Sequence, residues 1–337
     1  MIDLSDLEKI DSSGMYKIYD QWPEIAEKAF SKNYESIKFS DINHIIFAGM
    51  GGSGAIGDTF AAILSKTNIH VSVVKGYTLP NTVNEKSLVI TTSISGNTIE
   101  TLTILKSAKE KKCNIIAIAS GGKMEKYCKE NNLNFRKISQ LHSPRASFIG
   151  VLYSILKIIF PILPIKEEQI KESINELKKL REKILSKNLS KNNPALELAV
   201  WITKIPLIYF PWGLNAAAIR FKNSLQENAK LHSITEDVIE ASHNGIVAWE
   251  KPSNVQPILL QGQEDYIKTK ERWKIIKEYF ERNKIEYKEI TSVNGGILTK
   301  IINLIYLLDY VTIYNAIINQ IDPSPVKSIN FIKKELE

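Results

Sequence analysis

Short apolar runs alternate with longer helical stretches along the first half of this chain. The runs with the length and composition of buried strands are His44–Ala48, Ile69–Val74, Ser87–Thr92, Asn114–Ala119 and Asn134–Ile138. The helical patterns between them are Ala55–Ser65, Thr98–Lys111 and Lys123–Glu130. Strands that alternate with helices are typical of a parallel, doubly wound sheet. The pattern therefore predicts an α/β fold.

The second half of the chain repeats this alternation after a lysine-rich helical stretch. Strand-like runs recur at Pro206–Phe210, Gln256–Leu260 and Ile285–Ile290, and helical patterns at Asn215–Lys230, Tyr266–Arg282 and Leu298–Gln320. A chain of 337 residues is long enough for two domains with a core each. We predict two doubly wound domains, each a mostly parallel sheet flanked by helices. They occupy residues 1–164 and 192–337, with a helical connection at 165–191 and a C-terminal helical tail.

Charge and cysteine content narrow the class of partner. The net charge is +7, and the lysines lie on predicted helices among acidic residues rather than in an arginine-rich arm. Such a surface favours a small anion, for example a phosphate ester, over a nucleic acid. Cys113 and Cys128 match no zinc pattern, and the five histidines are scattered. We therefore expect neither a metal site nor a cofactor.

Hydropathy gives an expectation about the compartment. No apolar run reaches the roughly 18 residues that span a bilayer. The longest candidate, residues 148–165, is interrupted by Lys157, Pro161 and Pro164. The N-terminus lacks the basic and apolar regions of a signal peptide. We expect a cytoplasmic protein without membrane contact.

A glycine cluster, Gly49–Gly54, lies between the first predicted strand and the helix that follows it. Glycines let the backbone approach a ligand closely, and a helix N-terminus offers N–H groups to an anion. Gly51, Gly52 and Ser53 are therefore predicted phosphate ligands. The cluster also matches the G-x-G-x-x-G pattern of dinucleotide-binding folds. Lys75 stands where that fold expects an acid, but a lysine suits a 2′-phosphate, so this alternative stays open.

A second loop, Ser93–Thr98, follows the third predicted strand and opens the next helix. It holds three hydroxyl residues, Ser93, Ser95 and Thr98, and Gly96 permits a tight turn. Helix capping would account for one of these hydroxyls but poorly for three. A dinucleotide fold has no need of a second anion loop. The two loops together predict a phosphate site with these three hydroxyls among its ligands.

The sequence G-M-G-G-S-G followed by S-I-S-G-N-T-I-E-T resembles the sugar isomerase (SIS) fold. Nearly the whole chain is similar to the archaeal bifunctional phosphoglucose/phosphomannose isomerases, which have two such domains. The resemblance implies a metal-independent aldose–ketose isomerase without a cofactor. Its substrates would be glucose 6-phosphate and fructose 6-phosphate, and also mannose 6-phosphate, with a cis-enediolate between aldose and ketose.

The resemblance also implies roles for residues downstream of the loops. Glu227 lies in Glu-Asn-Ala-Lys, the core of the segment that holds the family's base, although Ser224 stands where the family often has an earlier glutamate. Arg145, in Pro-Arg-Ala, corresponds to the arginine that stabilises the enediolate. His243, in His-Asn-Gly, corresponds to the ring-opening histidine. In this family that histidine reaches the site of the neighbouring subunit, which implies a homodimer.

The segment that begins at Asp322 is similar to the family's C-terminus, whose lysine assists ring opening. By position that lysine is Lys333, with Lys327 and Lys334 as alternatives. Apolar residues at helical spacing predict a buried stripe on this terminal helix: Ile329, Ile332 and Leu336.

Two other functions stay open at the level of sequence. A non-catalytic sugar-phosphate sensor uses the same fold, usually with an added DNA-binding helix-turn-helix domain. The segment before Asp41 shows no clear pattern of that kind. A nucleotide-dependent oxidoreductase rests on the G-x-G-x-x-G match alone.

Overall fold

The chain divides into two compact units, in a computed structural model that describes residues 2–35, 37 and 41–336. We call them by their sheets. The first-sheet unit comprises Gln21–Lys178 and Gly295–Ile302. The second-sheet unit comprises Met1–Asp20, Lys179–Asn294 and Asn303–Glu337.

Helices and strands alternate in both units. The α-helices of the described residues are α1 (Leu4–Ile10), α2 (Met15–Asp20), α3 (Trp22–Ser31), α4 (Gly51–Leu64), α5 (Ile99–Glu110), α6 (Gly122–Glu130), α7 (Phe148–Ile159), α8 (Glu167–Ile184), α9 (Pro194–Trp201), α10 (Asn215–Ser224), α11 (Val238–Ala241), α12 (Ile267–Arg282), α13 (Ile297–Ile318) and α14 (Lys327–Leu336). The strands are β1 (His44–Ala48), β2 (His70–Val74), β3 (Ser87–Ser93), β4 (Asn114–Ala119), β5 (Phe135–Lys137), β6 (Ile205–Phe210), β7 (Ile234–Asp237), β8 (Val255–Gln261) and β9 (Lys288–Thr291).

The first sheet confirms the predicted doubly wound fold. Its strand order within the described residues is β2-β1-β3-β4-β5, and every pairing is parallel. All residues of β1 and β3 are buried, because helices cover both faces of a sheet of this kind. The strand order reverses between β1 and β3, and ligands of such sheets bind in the crevice outside the carboxyl ends of those two strands. Both predicted phosphate loops follow these strands.

The second sheet is also parallel, and it contains one strand that the sequence did not predict. Its order in the described part of the chain is β7-β6-β8-β9, again all parallel. The missed strand, β7, reads Ile-Thr-Glu-Asp and lies half-exposed at the sheet edge. It escaped prediction because an edge strand with one apolar residue has no alternating pattern.

The N-terminal segment forms three helices that the sequence analysis did not place. In the second-sheet unit, α1 begins with a capping box between Asp3 and Asp6. The carbonyl of Tyr19, at the end of α2, accepts a hydrogen bond from the hydroxyl of Tyr306 at 2.7 Å. In the first-sheet unit, α3 packs on α7, with the rings of Trp22 and Phe148 stacked at 6.0 Å.

Among the described residues, the helix that combines at least 18 residues with an apolar composition is α13, not the stretch at residues 148–165 that hydropathy first suggested. It has the length and composition of a membrane span, but 89% of its apolar window is buried inside the protein. A core helix satisfies the same criteria of length and composition. Here α13 supplies core residues such as Ile305 and Val311.

The predicted buried stripe on the C-terminal helix is wrong for the chain as described. Helix α14 forms as expected, but none of its residues is buried. The exposed fractions are 37% for Ile329, 57% for Ile332 and 55% for Leu336. The spacing of apolar residues specifies the face of a helix but not whether another element of the same chain covers it.

Candidate active site

The first phosphate loop connects the end of β1 to the start of α4. The N–H of Gly49 donates to the carbonyl of Val74 on β2 at 3.1 Å. A Cβ atom on Gly49 would lie 2.8 Å from the Cβ of Ser53 and 3.0 Å from the carbonyl oxygen of Thr92, so a side chain does not fit there. The start of this loop therefore lies directly against the end of β3, where the second loop begins.

The N-terminal turn of α4 is open on one side. Gly51 adopts a left-handed φ of +53°, and a Cβ atom built on it meets no atom within 4 Å. Gly52 is half-buried and the side chain of Ser53 is buried. Helix N–H groups that face open space at the carboxyl edge of a parallel sheet can bind a phosphate.

The second phosphate loop is tied together by its own hydroxyls. The Oγ of Ser93 lies 2.9 Å from the Oγ1 of Thr98 and accepts the N–H of Gly96 at 3.1 Å. The Oγ of Ser95 accepts the N–H of Asn97 at 3.3 Å. Ser93 is buried, Thr98 half-buried and Ser95 exposed. The three hydroxyls therefore range from the floor of the loop to its surface.

A third loop, after β4, supports the second one and was not found from the sequence. Gly96 has a φ of +72°, and a Cβ atom there would lie only 1.8 Å from the carbonyl oxygen of Gly121. The Oδ1 of Asn97 accepts the N–H of Lys123 at 3.0 Å. The pair Gly121-Gly122, one residue beyond the predicted strand Asn114–Ala119, was the available signal.

Arg145 lies in the turn that precedes α7, beside the first phosphate loop. A Cβ atom on Gly52 would be 3.5 Å from the Cα of Arg145 and from the carbonyl oxygen of Pro144. The turn is held by the indole N–H of Trp22, which donates to the carbonyl of Ala146 at 3.2 Å. Arg145 is only 5% exposed. The structure thus brings a buried guanidinium-bearing residue next to the predicted phosphate ligands of the same unit.

An ion pair behind the first loop was also missed. The Nζ of Lys75 lies 2.6 Å from the Oδ2 of Asp58 on α4. Burial raises the pKa of the Asp58 carboxyl, although Lys75 acts in the opposite direction. The Cε and Cδ atoms of Lys75 lie 3.1 and 3.3 Å from the position that a Cβ atom on Gly54 would take. The lysine considered for a 2′-phosphate is therefore paired with a carboxylate of its own unit.

Glu227 lies in the second-sheet unit, on a π-helical turn at Leu225–Ala229 that follows α10. The sequence pattern predicts a continuous helix at this point, whereas α10 ends at Ser224 and the π-helical turn follows. The side chain is half-buried. The Nζ of Lys230 donates to the backbone carbonyl of Glu227 at 2.6 Å and to that of Pro323 at 3.3 Å. Lysine and glutamate of the Glu-Asn-Ala-Lys segment are thus linked through the backbone.

His243 follows α11 and is exposed. The backbone N–H of His243 donates to the backbone carbonyl of Glu240 at 2.8 Å. Two residues later, a Cβ atom on Gly245 would lie 2.4 Å from the Oε2 of Glu236, so the loop packs closely on that carboxyl group. Burial raises the pKa of Glu236, and its Oε2 has no hydrogen-bond partner among the described residues.

Lys333 is exposed on α14, as are Lys327 and Lys334. Exposure therefore does not distinguish the three candidates for the ring-opening lysine. Glu227, His243 and Lys333 lie on three separate elements of the second-sheet unit. The phosphate loops and Arg145 lie together in the first-sheet unit.

Two family descriptions match the two halves of the chain. The SIS domain matches residues 38–157. The bacterial phospho-glucose isomerase C-terminal SIS domain matches residues 191–336.

Curated relatives match over most of their length. A bifunctional phosphoglucose/phosphomannose isomerase from Caldicellulosiruptor bescii is 34% identical, over 96% of this chain and 98% of the relative. A protein of the same name from Aquifex aeolicus is 28% identical, over 87% and 90%. A D-glucosamine-6-phosphate 4-epimerase from Sulfolobus acidocaldarius is also 28% identical, over 73% and 77%.

A solved structure shares the fold. A hypothetical protein from Thermus thermophilus superposes with a TM-score of 0.76, over 98% of this chain and 93% of that one, at 12% sequence identity. Two parallel sheets with SIS matches in both halves, together with the identity and coverage of the Caldicellulosiruptor relative, lead to one conclusion: the chain belongs to the bifunctional phosphoglucose/phosphomannose isomerase family.

Proposed function

We propose that this protein interconverts glucose 6-phosphate and fructose 6-phosphate, and mannose 6-phosphate and fructose 6-phosphate. One observation supports the proposal most directly. Two loops rich in hydroxyls and helix N–H groups meet at the β1/β3 crevice, and the turn of Arg145 packs against the first of them. A phosphate and a developing oxyanion are the charges that such groups stabilise.

The proposed chemistry moves a proton between C1 and C2 of the open-chain sugar. Glu227 acts as the base, because a carboxylate can accept the C2 proton of the aldose and return it to C1. Arg145 stabilises the charge on the enediolate oxygens. His243 and Lys333 assist opening of the sugar ring. Family membership and the half-buried position of Glu227 support these roles.

Turnover of mannose 6-phosphate requires proton transfer at the face of C2 opposite to the one used for glucose 6-phosphate. The enediolate intermediate is planar at C1 and C2, so protonation of C2 from one face gives glucose 6-phosphate and protonation from the other gives mannose 6-phosphate. The names of the relatives support a site that permits both.

The proposal includes a homodimer in which His243 acts in the neighbouring subunit. An exposed histidine on a short loop is available for such a contact. It also includes a cytoplasmic location, because ionic sugar phosphates do not cross a bilayer unaided. Chemistry without a resident metal is a further part of the proposal, which family membership supports.

A coupled assay tests the proposed reaction. Fructose 6-phosphate, mannose 6-phosphate and glucosamine 6-phosphate are supplied in turn, with and without a chelator. We expect turnover of the first two that survives the chelator. Loss of mannose 6-phosphate turnover on chelation would contradict the metal-independent mechanism. Sugar-phosphate binding without turnover would instead favour a non-catalytic sensor, and turnover of glucosamine 6-phosphate alone would favour a 4-epimerase.

A further inference from the structure

The segment that holds Glu227 departs from regular helix geometry. Helix α10 ends at Ser224, the π-helical turn follows, and Lys230 closes it with a left-handed φ of +56°. A π-helical turn contains more residues than an α-helical turn. Side chains within it therefore point in directions that the same residues would not have in a regular α-helix. Single π-helical turns inside α-helices are frequent at functional sites.

A buried carboxylate on α13 accepts hydrogen bonds from two side chains of α10, the helix just before this turn. The Oδ2 of Asp309 accepts a hydrogen bond from Arg220 at 2.7 Å, and its Oδ1 accepts one from the hydroxyl of Ser224 at 2.8 Å. Arg220 is 2% exposed and Asp309 is fully buried. Residues 220 and 224 are one turn apart on α10, so a single carboxylate fixes both the rotation and the axial position of this helix.

A second hydrogen bond joins α13 to the π-helical turn itself. The side-chain amide of Asn228, the residue after Glu227, donates to the Oγ1 of Thr312 at 2.8 Å. The hydroxyl of Thr312 donates in turn to the backbone carbonyl of Asp309 at 2.7 Å. Asn228 and Thr312 are fully buried. Helix α13 therefore holds the chain on both sides of Glu227, through Ser224 before it and Asn228 after it.

We propose that Asp309 and Thr312 are positioning residues for Glu227. They clamp the π-helical turn and so set the direction of the base. The inference rests on the proposed function, because it takes Glu227 as the base. Neither residue need touch the substrate. They act by restricting the carboxylate to one orientation, and displacement of a catalytic group by about 1 Å can cost on the order of 100-fold in rate.

The test compares substitutions at Thr312. Thr312→Val keeps the shape but removes the hydrogen bond between the Asn228 amide and the Thr312 hydroxyl, whereas Thr312→Ser keeps the hydroxyl. We expect Thr312→Val to lower kcat for glucose 6-phosphate by about 10- to 100-fold with little change in KM, since the phosphate loops are untouched. Thr312→Ser should recover most of kcat.

A matched control is available on the same helix. The hydroxyl of Thr299 is also buried but has no hydrogen-bond partner among the described residues. Thr299→Val should leave kcat and KM at the wild-type values. Melting temperatures of all variants separate a loss of folding from a loss of rate.

A folded Thr312→Val protein with wild-type kcat would overturn the proposal. If Thr312→Val does not fold, Ser224→Ala, which removes one hydroxyl from the same clamp, takes its place with the same two outcomes. Glu227→Gln is measured in parallel. Full turnover in Glu227→Gln would remove both the base and the positioning proposal. An inactive Glu227→Gln with wild-type kcat in Thr312→Val would leave the base in place and remove the positioning proposal alone.

Discussion

At the scale of single residues, the proposed phosphate site includes a glycine at a position where a side chain has no room. Gly96 combines a φ of +72° with a Cβ position only 1.8 Å from the carbonyl oxygen of Gly121. Gly96→Ala should therefore displace the second phosphate loop. We expect it to lower the free energy of unfolding by about 2–4 kcal/mol, from backbone strain and overpacking together.

Denaturant unfolding and a phosphate-ester titration measure the two effects of Gly96→Ala. Gly213→Ala is the control, because a Cβ atom there meets nothing within 4 Å and the residue does not have a left-handed φ. Equal stability and equal affinity for the two variants would show that the close approach of Gly96 and Gly121 is not required.

The sequence predicted the tight loop at Ser93–Thr98 because the residues that form it lie close together in the chain. Ser93, Gly96 and Thr98 are within six residues, and their mutual hydrogen bonds form one loop. The support from Gly121 and the ion pair between Lys75 and Asp58 come from distant segments. No local pattern contains such contacts, because they depend on how neighbouring strands pair.

At the scale of secondary-structure elements, the start of β1 contains a titratable group that should make stability depend on pH. His44 is buried beside His70, with ring centroids 4.5 Å apart, and its Nε2 lies 2.9 Å from the Oγ of Ser72. Burial, and next the charge of His70, lower the pKa of His44 below its ordinary value of 6.5.

Because the folded protein holds His44 neutral, the unfolded chain binds more protons below pH 6.5. Stability should therefore fall as the pH decreases from 6.5 towards the lowered pKa, and stay intact above 6.5. His44→Gln should flatten this dependence in thermal unfolding curves measured at several pH values. Identical pH dependence in His44→Gln and the wild type would contradict the role of this histidine.

Helix α14 offers a direct comparison of three exposed lysines. If Lys333 assists ring opening, Lys333→Ala should lower kcat/KM for glucose 6-phosphate about tenfold or more, as expected for loss of proton-transfer assistance. Lys327→Ala and Lys334→Ala serve as matched controls with the same change of charge. A larger effect at either control position would move the assignment to that lysine.

Elements were predictable in proportion to the strength of their apolar pattern. The buried runs of β1 and β4 have the predicted boundaries. Strand β7 was missed because it lies half-exposed at an edge, and the π-helical turn was missed because its residues continue the helical pattern of α10. The stripe on α14 was correct as a pattern and wrong in its burial.

At the scale of the whole molecule, the proposed homodimer can be tested by mixing inactive variants. Glu227→Gln and His243→Ala are each expected to be inactive. If His243 acts in the neighbouring subunit, a mixed dimer contains one site with both an intact Glu227 and an intact His243. Mixing and re-equilibration should then restore about a quarter of the wild-type activity, because about half of the dimers are mixed and each has one working site.

Activity that stays at the level of the separate variants would place His243 in the same subunit as Glu227 or show that the chains do not exchange. Mixing wild-type chains that carry different tags, followed by sequential affinity capture, checks the exchange. Both outcomes therefore bear on the origin of the histidine.

The doubly wound architecture could be predicted for both halves because strands and helices alternate along the whole chain. This alternation can be recognised even when a single element, such as β7, is missed. The division into units was less accessible, since the second-sheet unit collects Met1–Asp20 and Asn303–Glu337 from the two ends of the chain. Periodicity reports what each segment forms and not which distant segment it packs against.

Solvent exchange during turnover tests the central claim, an isomerase that works by proton transfer, most directly. Fructose 6-phosphate is incubated with the protein in D₂O, and the aldose product is examined at C2 by proton NMR. Because a base shares the transferred proton with solvent, we predict glucose 6-phosphate and mannose 6-phosphate with deuterium at C2. Aldose product without deuterium at C2 would contradict proton transfer through a base, and the absence of aldose product would contradict the proposed function.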